Sequence, residues 1–583
     1  MKKWFGLTLS ILLLAGLVLS ACGKTEVPAT TQPPVQPTAQ PEPAATQAPA
    51  AAAATEAPAE KVTAKDTIVV GLFTSPTGVF NPIFADSDYD IAINDVVYSS
   101  LMALNDKTEM VPGLAEKFEM SNGDRTITFF LRKNVKWHDG TPFTSKDVAF
   151  TFTTMAKKDY LGPLFSDVAN LVGAKDVQAG KAETVEGIKV IDDYTISFTY
   201  NEVYAPGLIR IGTEVGILPE HYWGKTPVAD WKNATDLMGK PIGTGPYIFK
   251  EFVPGQFVKL EANPDYFMGA PKTNNFVFQV TNQDTAIAAM TNGEIDIADV
   301  SNFKPNDLKQ LQEAGIKTLS FAGKSYQYMG FNMRLDVFKQ KELRHAITYA
   351  IDRKTVIQQI LGGNATLINA PMLPNTWQYP SSGLNEYEFN PEKSKEILKS
   401  IGYTDTNGNG IVDKDGKDLT FTLKYPIGNK IREQYATIIK KYLSDIGIGI
   451  ELKLMEFSTL LEETMSNHDF DLYLMGSSLS LDPDPIPYWS TSASSDEKGV
   501  AAWNIPAFRN EKADELMLQG IASVEQSKRA EIYKNFAVIF NDDPPIVLLY
   551  APNITKAFNP GLQNYRPATF VNYYDVHEWV INK

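Results

Sequence analysis

Oxygen-bearing side chains recur at regular spacing in the stretch DTNGNGIVDKDG, residues 405–416. The first, third, fifth and ninth positions of a calcium loop of the EF-hand type are filled here, in order, by Asp405, Asn407, Asn409 and Asp413. The twelfth position, which needs a bidentate glutamate, is Gly416. The residues that follow have the pattern of a strand, whereas an EF-hand requires a helix there. Two interpretations stay open: a plain Asx/Gly turn, or a loop held by a structural calcium ion. No other cofactor is expected.

The common catalytic motifs are missing from the sequence. It contains no Gly-x-Ser-x-Gly nucleophile elbow, no phosphate-binding loop and no His-Glu-x-x-His helix. The histidines are scattered along the chain, at His138, His221, His345, His468 and His577. A serine triad or a catalytic metal would need such residues to converge in space. We therefore expect a protein that is not an enzyme.

The single cysteine, Cys22, ends an N-terminal segment with the layout of an export signal. Two lysines precede an apolar run from Trp4 to about Leu19, and small residues follow the run. The run is just long enough to span a bilayer, so a permanent transmembrane anchor is the alternative. The tetrapeptide LSAC, however, resembles a bacterial lipobox. That resemblance implies a signal peptide of residues 1–21 and a lipid anchor on Cys22, whose several acyl chains would hold a membrane stably.

Composition divides the rest of the chain into a spacer and a globular body. Residues 22–65 are rich in Pro, Ala, Thr and Gln and lack apolar periodicity, which is typical of a disordered, extended linker. The remainder is long enough for more than one lobe, and 43% of the whole chain is hydrophobic. The formal net charge of −15 disfavours nucleic acid or anionic lipid as a partner.

Helical and strand patterns alternate through the body. TITFFLR (Thr126–Arg132) is short, β-branched and aromatic, which predicts a strand. IREQYATIIKKYLSDIG has apolar residues at helical spacing and ends at Gly447, which predicts an amphipathic helix with a glycine stop. The alternating residues from Ile448 to Leu454 predict a strand with one buried face. Helix-then-strand units of this kind indicate an α/β fold.

Four longer segments resemble successive landmarks of one family, the extracellular solute-binding proteins of peptide/nickel-type ABC importers. They are GLAEKFEMSNGDRTITFFLRKNVKWHDGTPFTSKDVAFTF, GTGPYIFKEFVPGQFVKLEANPDYF, FNMRLDVFKQKELRHAITYAIDR and FNPEKSKEILKSIGY. The resemblance implies a two-lobed α/β fold of the periplasmic-binding-protein type (type II, large peptide-binding class), with a two-strand hinge. Lobe I would comprise residues 66–96, 211–318 and 552–583, with an extra domain inserted at 97–210, and lobe II residues 319–551.

The same resemblance implies where a ligand would lie. Peptide-binding relatives hold the ligand backbone in strand-like fashion against one segment from each lobe. The matching segments are ADSDY (85–89) and MGSSLSLDPDPIPYW (475–489). The ligand-binding candidates in them are Asp88, Tyr89, Gly476, Ser477, Ser478, Ser480, Asp482, Asp484 and Trp489. Where peptide binders usually carry an aspartate for the ligand's α-ammonium this chain has Ser480, with two aspartates just beyond. DPDPIP also reads as a rigid solvated loop.

These observations predict a monomeric, lipid-anchored receptor that encloses a small solute between two lobes and delivers it to an ABC permease. An oligopeptide or dipeptide is the expected solute. An oligosaccharide or other non-peptide solute is the alternative, as is a surface sensor without transport. The expected location is the outer face of the bacterial cytoplasmic membrane, or the periplasmic space where an outer membrane exists.

Overall fold

A computed structural model describes residues 64–374 and 376–582 of the chain. The predicted signal peptide, Cys22 and almost all of the predicted linker lie outside the described residues. Within these two ranges, no helix has the length and apolar character needed to cross a membrane.

The strands are short, apart from one of 13 residues near the C-terminus. In chain order they are β1 (Ala64–Lys65), β2 (Thr67–Leu72), β3 (Met102–Leu104), β4 (Met110–Pro112), β5 (Ala115–Ser121), β6 (Thr126–Leu131), β7 (Ile188–Asp192), β8 (Thr195–Thr199), β9 (Tyr247–Val253), β10 (Phe257–Ala262), β11 (Asn275–Val280), β12 (Ile297–Asp299), β13 (Lys317–Ala322), β14 (Ser325–Phe331), β15 (Ala365–Thr366), β16 (Asp413–Lys414), β17 (Lys417–Asp418), β18 (Thr420–Pro426), β19 (Gly449–Met455), β20 (Leu472–Ser478), β21 (Ile546–Phe558), β22 (Leu562–Gln563) and β23 (Val580–Asn582).

Helices lie between many of these strands. They are α1 (Asp88–Val97), α2 (Ser145–Ala156), α3 (Phe165–Val168), α4 (Ala174–Gln178), α5 (Pro206–Thr213), α6 (Glu220–Trp223), α7 (Thr235–Met238), α8 (Gln283–Thr291), α9 (Pro305–Glu313), α10 (Asp336–Lys339), α11 (Lys341–Tyr349), α12 (Arg353–Leu361), α13 (Pro391–Ser400), α14 (Lys430–Ser444), α15 (Phe457–Leu461), α16 (Ile486–Trp489), α17 (Glu511–Ile521) and α18 (Gln526–Asp542). A π-helical turn (Glu462–Ser466) follows α15, and 3-10 turns form at Val228–Asn233, Thr491–Ala493 and Val576–Glu578.

One mixed sheet runs through both lobes and joins them. Its order is β19-β18-β20-β14-β21-β12-β2-β11-β10-β9, and β13 and β15 also pair with β21. The first part of β21 pairs with β14, whereas its second part pairs with β13 and β12. The chain therefore crosses between the lobes at two adjacent places, between β13 and β14 and in the middle of β21. The Gly323 N–H donates to the Pro552 carbonyl across these two crossings, at 2.9 Å.

Separate apolar cores define the lobes. The N-terminal lobe, which carries β2 and β9–β12, is built on a buried cluster that runs from Ile68 to Ile297 and resumes at Leu562–Ile581. The C-terminal lobe, which carries β14 and β18–β20, has two clusters between Tyr326 and Ala551. A four-stranded antiparallel sheet, β5-β6-β8-β7, lies between β2 and β9 in the chain and packs on the N-terminal cluster. The residue bounds given above for the lobes and the inserted domain stay predictions.

The position of α1 is set by its start and by the glycines packed against its end. Ser87 is the N-cap, and its side chain accepts the Tyr89 N–H. At the other end, the backbone of Gly243 and Gly245 passes so close to Val97 that a Cβ on Gly245 would lie 2.5 Å from the Val96 carbonyl oxygen. Only glycine permits this approach. The GTGPY segment thus holds the C-terminal end of α1 against the sheet.

Candidate functional site

The two predicted ligand segments face each other across the gap between the lobes. Leu479, directly after β20, donates its N–H to the Lys324 carbonyl at 2.8 Å. The Lys324 ammonium in turn lies 3.5 Å from the carboxylate of Asp88, the first residue of α1. Tyr89 follows and is half-buried against the N-terminal core. The structure therefore brings the two segments together, although they are almost 400 positions apart in the sequence.

The β20 strand has an incomplete edge. It pairs with β14 over its whole length, from Leu472 to Ser478, but with β18 only at Leu472 and Tyr473. Leu474–Ser478 thus has a partner strand on one side only, as far as residues 64–374 and 376–582 are concerned. Because the Leu479 N–H points to β14, the alternation of an antiparallel ladder directs the Ser478 N–H to the open edge. Such an edge offers backbone hydrogen bonds to an extended chain.

Asp482 is not an open carboxylate. Its two oxygens accept from the Arg529 guanidinium at 2.7 Å each, and the Asp482 and Arg529 side chains are only 3% and 7% exposed. In a buried, bidentate pair of this geometry, Arg529 already neutralises the carboxylate charge of Asp482, which a ligand ammonium would otherwise use. The arrangement argues against the predicted role of Asp482 as the ammonium partner, and it makes Asp482 a structural residue of the loop after β20.

Asp484 is better placed for such a role. One of its oxygens accepts the Ile486 N–H at 3.0 Å, and the carboxylate forms no ion pair with any described residue. Burial raises the pKa of Asp484, as does the neighbouring Asp482, whereas Arg210 of the N-terminal lobe and Arg529 lower it. The charge of a residue of the N-terminal lobe thus acts on this carboxylate.

The remaining candidates in this segment divide between surface and core. Ser480 is exposed, and its hydroxyl donates to the Asp482 carbonyl at 2.8 Å. Gly476 and Ser477 are half-exposed and Ser478 is exposed, on the strand that carries the open edge. Trp489 is 6% exposed and packs edge-on against Phe540, with ring centroids 4.7 Å apart. Trp489 therefore belongs mainly to the core of the C-terminal lobe.

A large cavity opens in the N-terminal lobe beside α1. Its volume is about 560 Å³, which is within the range of small-ligand sites. Its wall includes Ala85 of the predicted ligand segment, Asp95 on α1, Glu214 after α5, and the C-terminal stretch from Phe570 to His577. Asp95 and Glu214 are exposed residues in this open cavity, yet the protein atoms around them displace enough solvent to raise the pKa of each to about 7. We call this space the N-lobe cavity.

The calcium-like loop holds itself together by internal hydrogen bonds. Asp405 accepts the N–H groups of Gly408 and Gly410, and Asp413 accepts from Thr406. The side-chain amides of Asn407 and Asn409 donate to Asp418, at 3.0 and 2.7 Å. No cluster of three or more His, Cys, Asp or Glu ligands occurs in the described part of the chain. This bonding is that of an Asx/Gly turn, and calcium binding stays a prediction.

Comparisons with known proteins identify the family of this chain. The model of the bacterial extracellular solute-binding proteins, family 5 (Middle), matches residues 109–499. The oligopeptide-binding protein AppA of Bacillus subtilis is 32% identical over 520 residues, which cover 88% of this chain and 92% of AppA. The chain belongs to family 5 of the bacterial extracellular solute-binding proteins.

Solved structures agree with this assignment. AppA of Bacillus subtilis in complex with a nonapeptide is 31% identical, with a TM-score of 0.67 and coverage of 90% of this chain and 100% of AppA. The ABC transporter substrate-binding protein CtaP of Listeria monocytogenes shares the fold at 24% identity, with a TM-score of 0.74 and coverage of 89% and 100%. The predicted two-lobed α/β fold is confirmed, and so are the predicted family and an extracytoplasmic, non-enzymatic role.

One residue of this family 5 receptor was not found by sequence reasoning. Arg432, in the first turn of α14, donates through Nε to Gln327 at 2.9 Å. A Cβ on Gly476 would lie 2.8 Å from the Arg432 Nη2 atom, so the guanidinium lies over the face of β20 at Gly476, within the part of the strand that has the open edge. No described carboxylate pairs with Arg432. An arginine at the start of an amphipathic helix is normally exposed to solvent, so the sequence alone gave no sign of a role for Arg432. Only the folded sheet brings it next to β20.

Proposed function

We propose that this protein is the peptide receptor of an ABC importer: it binds an oligopeptide between its lobes and presents it to a membrane permease. The observation that carries the proposal is the open edge of β20, because an extended peptide can add to it as a strand. The relatives support peptide as the solute, since AppA is named an oligopeptide-binding protein and its structure holds a nonapeptide. Arg432 is placed to bind a peptide carbonyl or carboxylate, and Asp484 an ammonium.

Ligand screening tests the solute class. The full chain, unfolded and refolded to remove endogenous ligand, is titrated by calorimetry with peptides of two to nine residues and with oligosaccharides. Peptide binding with no oligosaccharide binding supports the proposal. Binding of oligosaccharides alone would leave a solute receptor but exclude a peptide receptor.

Proline substitution tests the strand edge itself. Ser478→Pro removes an N–H that points to the open edge, which an edge strand tolerates. Loss of one hydrogen bond, worth about 0.5–1.5 kcal/mol, should weaken peptide affinity about 2- to 12-fold at nearly unchanged Tm. The matched control is Ser477→Pro, which removes an N–H that faces β14 and should lower the Tm. Equal peptide affinity in wild type and Ser478→Pro would contradict strand addition.

Tethering and delivery are proposed from the sequence. Lipid on Cys22 would hold the receptor near the permease, and residues 22–65 would act as the spacer. Cys22→Ser should move the protein out of the membrane fraction without changing its peptide affinity, because the cleft residues lie elsewhere in the chain. Retention of the serine variant in salt-washed membranes would rule out lipid anchoring. Uptake of labelled peptide that depends on this receptor separates an importer from a sensor.

A further inference from the structure

The N-lobe cavity has an acidic and aromatic lining that the binding of a peptide backbone does not explain. Asp95 enters it from α1, and Glu214 from the end of α5. Aromatic rings make up much of the remaining wall, namely Tyr98, Tyr266, Phe267, Phe570, Tyr573 and Tyr574. Aromatic faces attract cations, as carboxylates do. The lining therefore favours a positively charged group.

The cations closest to these two carboxylates are engaged with other acids. Lys324, whose charge acts on Asp95, lies 3.5 Å from Asp88. Arg210, whose charge acts on Glu214, lies 2.6 Å from Asp167. Asp95 and Glu214 are thus left without an ion-pair partner in the part of the chain that the structure describes. Loss of solvent around each carboxylate is the main reason why the pKa of each is raised to about 7, and the neighbouring acids Asp88 and Asp167 add to the rise at Asp95 and Glu214 respectively.

A second feature of the cavity wall independently indicates a polar ligand. Asn94 is 5% exposed, lies next to Asp95 on α1 and lines the same cavity. Neither its side-chain oxygen nor its side-chain nitrogen has a hydrogen-bond partner among the described residues. Both amide atoms are shielded from solvent, so a ligand reaches them only after the side chain turns towards the cavity. A hydrogen bond formed in that way would offset the cost of an unsatisfied buried amide, which is about 1–3 kcal/mol.

We propose that the N-lobe cavity is a specificity subsite that accepts a lysine or arginine side chain of the bound peptide, with Asp95 and Glu214 as its charge partners. The proposal rests on the peptide-receptor function above and adds a preference for cationic ligands. Asn94, once turned towards the cavity, would hydrogen-bond the same residue of the ligand. The aromatic wall would enclose the aliphatic part of the ligand side chain.

Matched peptides provide the test. Alanine pentapeptides with one lysine at each position in turn, and a second series with norleucine in its place, are titrated into the ligand-free full chain. The test variant is Asp95→Asn with Glu214→Gln, and the control is Asp236→Asn, whose side chain is 97% exposed outside the cavity. At one position we expect the lysine peptide to bind about 30-fold tighter than the norleucine peptide. This factor is the lower end of the range of affinity changes seen when one partner of a desolvated charge pair is removed.

The double variant should reduce this preference to about threefold or less by removing both charges, while norleucine peptides keep their affinity. Lysine binding should also release protons near pH 7, because a cation lowers the pKa of each carboxylate. The release is measured by calorimetry in two buffers of different ionisation enthalpy.

Other charged and titratable groups lie near the two acids. Around Asp95 they are Lys324, Asp88 and Tyr573, and around Glu214 they are Asp167, Arg210 and Asp482. Elsewhere on the cavity wall they are Arg132, Asp575 and His577.

Two results would overturn the subsite: no preference for lysine in the wild type, or a preference that survives in the double variant. If no peptide of either series binds, the peptide-receptor function fails, and 1,5-diaminopentane then tests the cavity alone. Binding of the diamine that disappears in the double variant would support the cation subsite. Absence of diamine binding to the wild type would overturn it.

Discussion

The pair of Asp482 and Arg529 gives a sharp test of whether Asp482 serves the fold or the ligand. Besides its two bonds to Asp482, the Arg529 guanidinium donates to the Gly520 carbonyl at 2.9 Å and to the Tyr533 hydroxyl at 3.1 Å. It also lies 5.4 Å from the ring centroids of Trp377 and Tyr533. Every partner of this guanidinium is a group of the C-terminal lobe. We therefore expect Asp482→Asn to damage that lobe.

The expected loss of stability follows from burial. Asp482→Asn leaves the Arg529 charge desolvated with neutral acceptors only, and breaking a buried ion pair costs about 3–5 kcal/mol. For a cooperative unit of about 150–250 residues, that corresponds to a fall in Tm of roughly 6–20 °C. Replacing both partners together, as Asp482→Leu with Arg529→Met, should restore much of the stability, because no unpaired charge remains.

Thermal unfolding by calorimetry and peptide titration well below the Tm together decide the question. We expect Asp482→Asn to bind peptide within about threefold of wild type once folded, since the Asp482 carboxylate is already paired with Arg529. The matched control is Asp484→Asn, which should weaken binding while leaving the Tm in place, because Asn can still accept the Ile486 N–H. A wild-type Tm for Asp482→Asn, combined with an affinity loss of about 30-fold, would refute the reasoning.

Three further outcomes are expected. Burial lowers the pKa of His138 to about 4, and the neutral ring accepts the Gly243 N–H. The unfolded chain therefore binds the extra proton first, so stability falls as the pH drops from 6.5 towards 4, and His138→Gln should flatten that slope in acid unfolding curves. Gly323→Ala places a Cβ 2.6 Å from the Pro552 carbonyl oxygen, so it should lower the Tm and reduce the ligand-induced compaction seen by small-angle scattering. If the loop at Asp405 binds calcium, millimolar calcium should raise the Tm relative to chelator, and an unchanged Tm would leave the plain turn.

Local elements were predictable because their determinants are neighbours in the sequence. The start of α2 is an example, because a capping box links Thr144 and Asp147, which are three positions apart. The helix ending before Gly447 and the strand after it are confirmed, as α14 and β19. Each of these signals needs only a few adjacent residues, such as a hydroxyl that caps N–H groups or a glycine with positive φ.

Local sequence patterns were insufficient to give the helix and strand boundaries where contacts with distant parts of the chain set them. The segment FKQKELRHAITYAIDR has the apolar spacing of one helix, but it breaks into α10, α11 and the start of α12. Gln340 is extended between the first two, and Asp352 caps the third by accepting the Thr355 N–H. The residues around the Asp139–Gly140 turn form only an isolated bridge, Lys136 to Pro142.

The site was less predictable than the fold, for the same physical reason. Asp482 meets its partner 47 residues later in the chain, so its sequence neighbours gave no sign that the carboxylate is already paired. The N-lobe cavity joins α1, the end of α5 and the stretch from Phe570 to His577, which are hundreds of residues apart. Whether a charged residue is free to bind a ligand depends on the partners that other elements supply in the folded chain, and the sequence pattern does not show these partners.

The contacts between the lobes also limit what can drive closure. Next to the two strand crossings, Asn364 of the C-terminal lobe bonds Ser301 and Thr555 of the N-terminal lobe. Away from this hinge, the polar contacts between the lobes include the exposed pair of Lys324 and Asp88 and the Ala205 N–H, which donates to the Ile521 carbonyl at 2.7 Å. An exposed ion pair contributes about 0–1 kcal/mol, and one hydrogen bond contributes about as much. Because a ligand shifts an open–closed equilibrium only by its differential affinity for the two states, we expect closure to depend on contacts that the ligand makes with both lobes at once. The open edge of β20 in one lobe and the acidic cavity in the other are placed to supply them.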